Sequence, residues 1–328
     1  MTHTLLVTGG AGYIGSHVVR LLLEQGNEVV VVDRALPKTG AVGALLNVAG
    51  DIRDAGLLDR IIQEHQFDAV VHFAAAKSVE ESMAAPERYF DNNVRGSLVL
   101  LDAARRGGVG KFVFSSTCAV YGTPGEIPVT EDAPVRPQNA YGESKLMVER
   151  MLHWFSASHG LRYASLRYFN AAGATPEGEL GEPPDTAESL LPRVIMAALG
   201  QRPVLRVFGT DYPTPDGTAI RDYVHVTDLA EAHGSALDYL AEGGPSVTLN
   251  LGTGHGSSVL EVAAAVESVC GRSIPIEYAP RRPGDVPALW ADPAAARAAL
   301  GWEARRALLQ IADSAWRWHA AHPPSDAG

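Results

Sequence analysis

Residues 4–15 read TLLVTGGAGYIG, and this stretch decides the fold. Thr4–Thr8 predicts a buried strand, and the glycines that follow predict a tight turn. Helical spacing of apolar residues over 16–25, closed by Gly26, predicts a helix after the turn. The run 28–33 predicts a second strand, of the kind found in a parallel sheet covered on both faces. A strand, a glycine-rich turn, a helix and a strand in this order are typical of a dinucleotide-binding unit.

The glycine-rich turn predicts how such a ligand would be held. Its glycines let the backbone approach a pyrophosphate, which then sits at the positive N-terminus of the helix. Asp33 ends the second strand and is placed to accept hydrogen bonds from an adenosine ribose. Its charge would repel a 2′-phosphate, which favours NAD over NADP. Arg34 and Lys38 lie close enough to keep NADP open as an alternative.

Strand-like runs recur along the first half of the chain, separated by segments long enough for helices; they span 47–51, 69–73, 111–114 and 163–169. This alternation predicts an α/β fold with a Rossmann-like, doubly wound parallel sheet. Asp51-Ile52 and 73–77 follow two of these strands, at the sheet edge where ligands bind. His72 is interpreted as a core histidine.

The character of the chain changes beyond residue 170, where Gly and Pro become frequent and the elements shorten. We predict an NAD-binding Rossmann domain over 1–170 and a smaller C-terminal substrate-binding lobe over 171–322. Some elements of this lobe are expected to return to the first domain. The tail 323–328 should be disordered, with disorder beginning near His322. Further predicted helices span 190–199, 226–239, 258–270 and 307–320, and further strands span 204–208 and 247–250.

Composition narrows the class of protein. The 328 residues are 46% hydrophobic and 20% charged, as in a globular protein, and the net charge of -11 argues against a nucleic-acid partner. Cys118 and Cys270 give neither a disulfide framework nor metal-ligand spacing, and His319 and His322 lie too near the terminus to suggest a metal site. With no signal peptide and no apolar run of membrane-spanning length, we expect a cytoplasmic protein without a metal or a membrane partner.

The chemistry is predicted at residues 139–145, NAYGESK. On a helix, Tyr141 and Lys145 project from one face. The ammonium should stabilise the phenolate and lower the tyrosine pKa, which makes a general base. Ser115–Thr117, near the end of a strand, would by default cap a turn. Beside a nicotinamide, Thr117 could instead join the pair around one substrate oxygen, where an alcohol loses a proton as its carbon gives up hydride.

Together these motifs resemble the extended short-chain dehydrogenase/reductase superfamily. Further motifs narrow the resemblance, over about residues 4 to 320, to the UDP-glucose 4-epimerase family of galactose metabolism: GDIR (50–53), YFDNNV (89–94), SKLMVE (144–149), LRYFN (166–170), RDYVHVTDL (221–229) and APRRPGD (279–285). This family implies an isomerase that interconverts UDP-galactose and UDP-glucose through a transient 4-keto sugar, with tightly bound NAD and usually as a homodimer.

The resemblance also implies roles for residues. Tyr141 would be the base at the sugar 4-hydroxyl, Lys145 would lower its pKa and hold the nicotinamide ribose, and Thr117 would hydrogen-bond O4. The cofactor would be held by Gly9, Gly12, Tyr13, Ile14, Gly15, Asp33, Asp51, Ile52, Phe73, Ala74, Lys77, Asn92, Tyr141, Lys145 and Phe169. The UDP-sugar would be held by Thr117, Asn170, Ser189, Leu190, Arg206, Val207, Phe208, Arg221, Arg282, Asp285 and Leu289. Of these, Arg221 and Arg282 suit the diphosphate.

Departures from the family pattern leave alternatives. The loop after Asp33 is short, and Ser189 stands where many relatives carry Asn or His. Leu289 stands where some carry Tyr beside the sugar 2-position, which suggests an epimerase that also accepts UDP-N-acetylhexosamines. A 4,6-dehydratase or a UDP-glucuronate decarboxylase would need acidic residues after Thr117, where this chain has Cys118 and Ala119. A non-catalytic NAD-sensing protein would typically have lost the Tyr or the Lys.

Overall fold

The structure is a computed structural model that describes residues 2–36, 44–282 and 285–324. Strands and helices alternate through its first half: β1 (Thr4–Thr8), α1 (Tyr13–Glu24), β2 (Glu28–Asp33), β3 (Leu46–Ala49), α2 (Ala55–His65), β4 (Ala69–His72), α3 (Val79–Ala84), α4 (Pro86–Tyr89), α5 (Gly96–Arg106), β5 (Lys111–Thr117), α6 (Ala140–His159) and β6 (Arg162–Tyr168). A π-helical segment, Phe90–Arg95, joins α4 to α5, and a 3-10 turn, Cys118–Tyr121, follows β5.

Shorter elements make up the second half: β7 (Asn170–Ala172), α7 (Leu190–Ala198), β8 (Leu205–Phe208), β9 (Ile220–Arg221), β10 (Tyr223–His225), α8 (Val226–Ala241), β11 (Val247–Leu251), β12 (Ser257–Ser258), α9 (Val259–Cys270), β13 (Ile276–Ala279), β14 (Ala288–Leu289), α10 (Ala294–Leu300) and α11 (Leu308–Ala321). A further 3-10 turn spans Pro184–Thr186. None of the described helices is long and apolar enough to cross a membrane.

Within the described residues, seven strands form one parallel sheet in the order β11-β6-β5-β4-β1-β2-β3. Side chains of each strand alternate between its two faces. Leu5, Val7 and Val31 pack on one face in a core that includes residues of α1 and α8. Leu6 and Val30 pack on the other face with residues of α2, α5 and α6. Apolar cores on both faces explain the unbroken apolar strands, and the predicted doubly wound fold is confirmed.

The chain after residue 170 contributes to both parts of the molecule. Strand β11 pairs with β6 in the large sheet, and α8 packs against it. Helices α7, α9 and α11 enclose a separate core beside the pairs β7–β10 and β8–β13. Strand β9 lies between β12 and β14. The domain boundary at residue 170 stays a prediction.

Two local features differ from the sequence-based expectations. Strand β5 continues to Thr117 instead of ending at Phe114, because Ser115–Thr117 pair with 166–168 of β6. Ser115 and Ser116 are therefore strand residues rather than turn caps. His322, expected in the tail, stacks on Trp318 with ring centroids 3.8 Å apart. Residues 325–328 of the predicted tail lie outside the described part of the chain.

Candidate active site

A cavity of about 340 Å³ opens at the carboxyl edge of the large sheet. Most of the residues predicted to hold the cofactor line it: Gly9, Gly12, Tyr13, Ile14, Gly15, Asp33, Ile52, Phe73, Ala74, Lys77, Asn92, Tyr141 and Lys145. The cavity is also lined by residues that were not predicted to hold the cofactor, among them Ser115, Tyr168, Pro183 and Thr186. We call this space the first cavity.

The glycine-rich turn packs so closely on neighbouring backbone that two of its positions exclude any side chain. Gly9 has a positive φ of 74°, and a Cβ there would lie 2.5 Å from the backbone nitrogen of Ala74. A Cβ on Gly15 would lie 2.2 Å from the carbonyl oxygen of Gly9. Helix α1 begins after Gly12 without a side-chain cap or an acidic residue in its first turn. Its positive N-terminus therefore suits the pyrophosphate of a dinucleotide.

The Asp33 side chain lines the cavity and also stabilises the glycine-rich turn through hydrogen bonds. Its carboxylate accepts the N–H groups of Ala11 and Ala35, both at 3.1 Å. Arg34 lines the same cavity, whereas Lys38 lies outside the described residues. The preference for NAD over NADP therefore remains a prediction from Asp33.

Two predicted cofactor residues do not line the cavity. The carboxylate of Asp51 is held by the guanidinium of Arg53, with oxygen–nitrogen distances of 2.6 and 2.9 Å. Phe169 is buried in an apolar cluster with Tyr121 and Leu146. The preceding residue, Tyr168, faces the first cavity instead, because consecutive strand residues point to opposite faces.

Helix α6 places Tyr141 and Lys145. It starts after Asn139, whose side-chain oxygen accepts the N–H of Gly142 at 2.8 Å. Burial raises the pKa of Tyr141 to about 12, and a hydrogen bond with Thr117 offsets part of this rise. The ammonium of Lys145 donates to the carbonyl oxygen of Ser115 at 2.8 Å and lies 6.0 Å from the Tyr141 ring centroid.

The expected lowering of the Tyr141 pKa by Lys145 is therefore wrong, because desolvation of the phenol dominates and raises the pKa. Lys145 is itself buried, which lowers its pKa to about 7, and the carboxylate of Glu149 opposes this shift. Glu149 forms a buried ion pair with Arg167 at 2.6 Å. The site thus places a phenol, a hydroxyl and an amine together in a desolvated pocket.

The two residues that directly follow Thr117, Cys118 and Ala119, offer no acid–base group. Desolvation raises the pKa of the Cys118 thiol to about 12, so it is neutral at physiological pH. Ala119 contributes only its N–H, which donates to the Thr117 hydroxyl at 3.1 Å. His72 is buried as expected, with Thr8 Oγ1 and Ser97 Oγ at 2.6 and 2.7 Å.

A second cavity, of about 620 Å³, lies beside the first. Tyr168 lines the first cavity, and Asn170, two residues later, lines the second. In the same way, Thr186 lines the first cavity and Glu188 lines the second. The second cavity is lined by seven of the residues predicted to hold the UDP-sugar: Asn170, Leu190, Arg206, Phe208, Arg221, Arg282 and Asp285. We call this space the second cavity.

Four predicted substrate residues line neither cavity. Thr117, Val207 and Leu289 are buried, at 7%, 1% and 7% exposure. The hydroxyl of Ser189 donates to the Glu182 carboxylate at 2.6 Å, so it is engaged within the protein. Only the Thr117 hydroxyl keeps a direct link to the site, through its hydrogen bond with Tyr141.

The predicted arginines of the second cavity differ in their partners. Arg206 pairs with Glu277 at 3.0 Å, and Arg221 pairs with Asp285 at 3.6 Å. Arg282 lies over the Phe208 ring, 3.8 Å from its centroid.

Sequence reasoning missed four charged residues of this cavity, Glu188, Arg193, Arg202 and Glu277. Arg193 follows Leu190 by three positions on α7. The helical spacing from Leu190 was therefore a signal that could have found it.

The chain is similar to known proteins in both its sequence and its fold. A sequence model of the NAD dependent epimerase/dehydratase family matches residues 5–252. A UDP-glucose 4-epimerase of Halalkalibacterium halodurans is 49% identical over 323 residues, which cover 97% of this chain and 96% of that protein. Among solved structures, UDP-glucose 4-epimerase from Brucella ovis in complex with NAD is 45% identical, with a TM-score of 0.93 over 96% of this chain and 98% of that one. The enzyme from Bifidobacterium longum in complex with NAD+ and UDP is 42% identical, with a TM-score of 0.91 over 98% and 99% of the two chains.

Proposed function

The chain belongs to the NAD dependent epimerase/dehydratase family, and on that premise we propose that it is a UDP-glucose 4-epimerase, an NAD-dependent isomerase that interconverts UDP-galactose and UDP-glucose. One observation carries the proposal. Tyr141 and Lys145 line the first cavity, Thr117 hydrogen-bonds to Tyr141, and the arginine-lined second cavity lies beside the first.

We propose that the first cavity holds NAD. The uncapped start of α1 suits the pyrophosphate, and the Asp33 carboxylate suits the adenosine ribose. Lys145, which lines the same cavity, would hold the nicotinamide ribose. When bound, NAD supplies the hydride acceptor and donor and a positively charged ring.

The chain's own residues then handle the proton. In the proposed mechanism, Tyr141 Oη takes the proton of the sugar 4-hydroxyl and later returns it, while Thr117 Oγ1 stabilises the phenolate through its hydrogen bond. Lys145 Nζ donates to the Ser115 carbonyl oxygen and lies 6.0 Å from the Tyr141 ring centroid, so its proposed role is to hold the nicotinamide ribose. Because the hydroxyl is first oxidised and then reduced on the opposite face, the reaction has no net redox change.

The second cavity is proposed to hold the UDP part of the substrate while the sugar turns. Arg282 and Arg221 are suited to diphosphate oxygens. A fixed diphosphate lets the transient 4-keto sugar rotate and present its other face. Cys118 and Ala119, which follow Thr117, carry no carboxylate, which disfavours the dehydratase and decarboxylase alternatives. The presence of Tyr141 and Lys145 disfavours a non-catalytic NAD sensor.

The test replaces Tyr141 with Phe, which removes the proton acceptor and keeps the ring. We expect turnover of UDP-galactose to fall by about 10²- to 10⁴-fold, the usual contribution of a general base. UDP affinity, measured by titration calorimetry, should stay within about twofold. Near-normal turnover by this variant would contradict the proposal.

Finer properties are also proposed. A homodimer is supported by the exposed apolar side chains Leu98 and Trp154 on the neighbouring helices α5 and α6, at 45% and 66% exposure. A cytoplasmic location is supported by the free thiols of Cys118 and Cys270, which fit a reducing compartment. Tolerance of UDP-N-acetylhexosamines stays a prediction, which turnover of UDP-N-acetylgalactosamine would test.

A further inference from the structure

Arg193 is a cation of the second cavity that pairs with none of the residues described by the structure. It lies in the first turns of α7, three residues after Leu190, and lines the cavity. Its Nε atom is buried and has no hydrogen-bond partner. Among the described residues the guanidinium forms neither a hydrogen bond nor an ion pair. A buried hydrogen-bond donor without a partner destabilises the folded protein, so the presence of Arg193 at this position needs an explanation.

The charges around Arg193 destabilise its positively charged guanidinium further. Its pKa is lowered by burial first and then by the positive charges of Arg282 and Arg202, and Glu188 and Glu80 only partly oppose this. Arg202 and Arg282 line the same cavity and likewise have no carboxylate partner among the described residues. Arg206 and Arg221, by contrast, are already paired with Glu277 and Asp285. The unneutralised positive charge of the cavity is thus concentrated at Arg193, Arg202 and Arg282.

The start of α7 adds to the same positive field. Ser189 precedes the helix, but its hydroxyl donates to Glu182 and does not cap it. The first turn of α7 contains no acidic residue. Backbone N–H groups at an uncapped helix start favour an anion, and Arg193 is one turn further along the same helix.

We infer that Arg193 binds the diphosphate group of the nucleotide sugar and is a principal determinant of affinity for it. This inference rests on the proposed function of the second cavity. A diphosphate would satisfy the orphaned guanidinium and offset the repulsion among Arg193, Arg202 and Arg282. A neutral nucleoside would do neither.

The experiment compares the parent with the Arg193→Met variant, which keeps the aliphatic volume and removes the charge. Titration calorimetry with UDP and with uridine separates the diphosphate from the base and ribose. We expect the Kd for UDP to rise about 10- to 100-fold, the loss typical of hydrogen bonds to a charged group, with the uridine Kd unchanged. The Arg193→Lys variant keeps the charge without the planar fork and should lose less.

A structural role makes a different prediction, so thermal unfolding of the ligand-free protein is the second readout. Because Arg193 is unpaired and repelled, the Arg193→Met protein should be at least as stable as the parent. The matched control is Arg317→Met on α11, which removes an exposed arginine paired with Asp313 and should change neither UDP nor uridine binding.

Three results would overturn the inference: a UDP Kd within twofold of the parent, an equal loss of UDP and uridine binding, or a loss of several degrees in the unfolding temperature without selective loss of UDP. The proposed function can fail separately. If the parent binds UDP in an Arg193-dependent way but does not epimerise UDP-galactose, the anion site stands and the epimerase assignment falls.

Discussion

The Thr117 hydroxyl connects the backbone to the reacting phenol. It accepts the N–H of Ala119 at 3.1 Å and hydrogen-bonds to Tyr141, which lowers the tyrosine pKa against the larger effect of burial. A hydroxyl that donates to a phenolate stabilises the ionised form. Thr117 therefore controls the fraction of Tyr141 able to accept a proton at neutral pH.

Thr117→Val should remove this support. We expect the Tyr141 pKa to rise, so turnover at pH 7 falls by about 10- to 100-fold and recovers as the pH is raised. The measurement is turnover of UDP-galactose across pH. Thr117→Ser keeps the hydroxyl and is the matched control, with a profile close to the parent. A Thr117→Val profile that coincides with the parent would contradict this role.

The sequence predicted which residues form the site better than it predicted their pKa shifts and ion pairs. The spacing of Tyr141 and Lys145 on one helix was readable. The sign of the Tyr141 pKa shift was not, because it depends on how deeply the folded chain buries the phenol. Arg193 was missed for a similar reason. Which arginines stay unpaired depends on contacts between distant strands, such as Arg206 with Glu277 across β8 and β13.

At the scale of elements, α5 and α6 present the largest exposed apolar side chain of the described residues, Trp154, with Leu98 on the adjacent helix. Contiguous exposed apolar surface often marks an interface, and we propose that these two side chains belong to one such surface. Trp154→Glu should place a charge in the proposed homodimer contact. We expect the parent to elute with the mass of two chains and the variant with the mass of one, by size-exclusion chromatography with light scattering. A parent that is monomeric at micromolar concentration would contradict the homodimer.

Long elements were predictable because their periodicity is strong and local. Strands β1 and β2 have the predicted bounds, and α9 runs to Cys270 as expected. Strands of two residues, such as β9 and β14, have no sequence pattern of their own. They exist because distant segments meet, so periodicity could not reveal them.

For the whole molecule, several buried histidines set the response to acid. Burial lowers the pKa of His72 and His225 to about 3, and of His17, His233 and His319 to about 4. In the unfolded chain a histidine titrates near 6.5. The unfolded state therefore binds protons that the folded state does not, and stability is full above pH 6.5 and lost as pH falls through 4.

We expect the free energy of unfolding to fall steeply between pH 6.5 and 4, by up to about 1.4 kcal/mol per pH unit for each such histidine. Urea unfolding at a series of pH values measures this slope. His233→Gln should remove the contribution of one histidine to this slope, up to about 1.4 kcal/mol per pH unit. A free energy of unfolding that stays flat from pH 7 to 5 would contradict the buried neutral state.

The doubly wound sheet, its two apolar faces and the paired cavities together support one central claim, that this chain epimerises UDP-hexoses at C4. The most direct test is incubation of the purified protein with UDP-galactose deuterated at C4, without added NAD. We expect UDP-glucose that retains deuterium at C4, because hydride returns without exchange with water and bound NAD stays with the protein. Absence of UDP-glucose, even after NAD is added, would contradict the account.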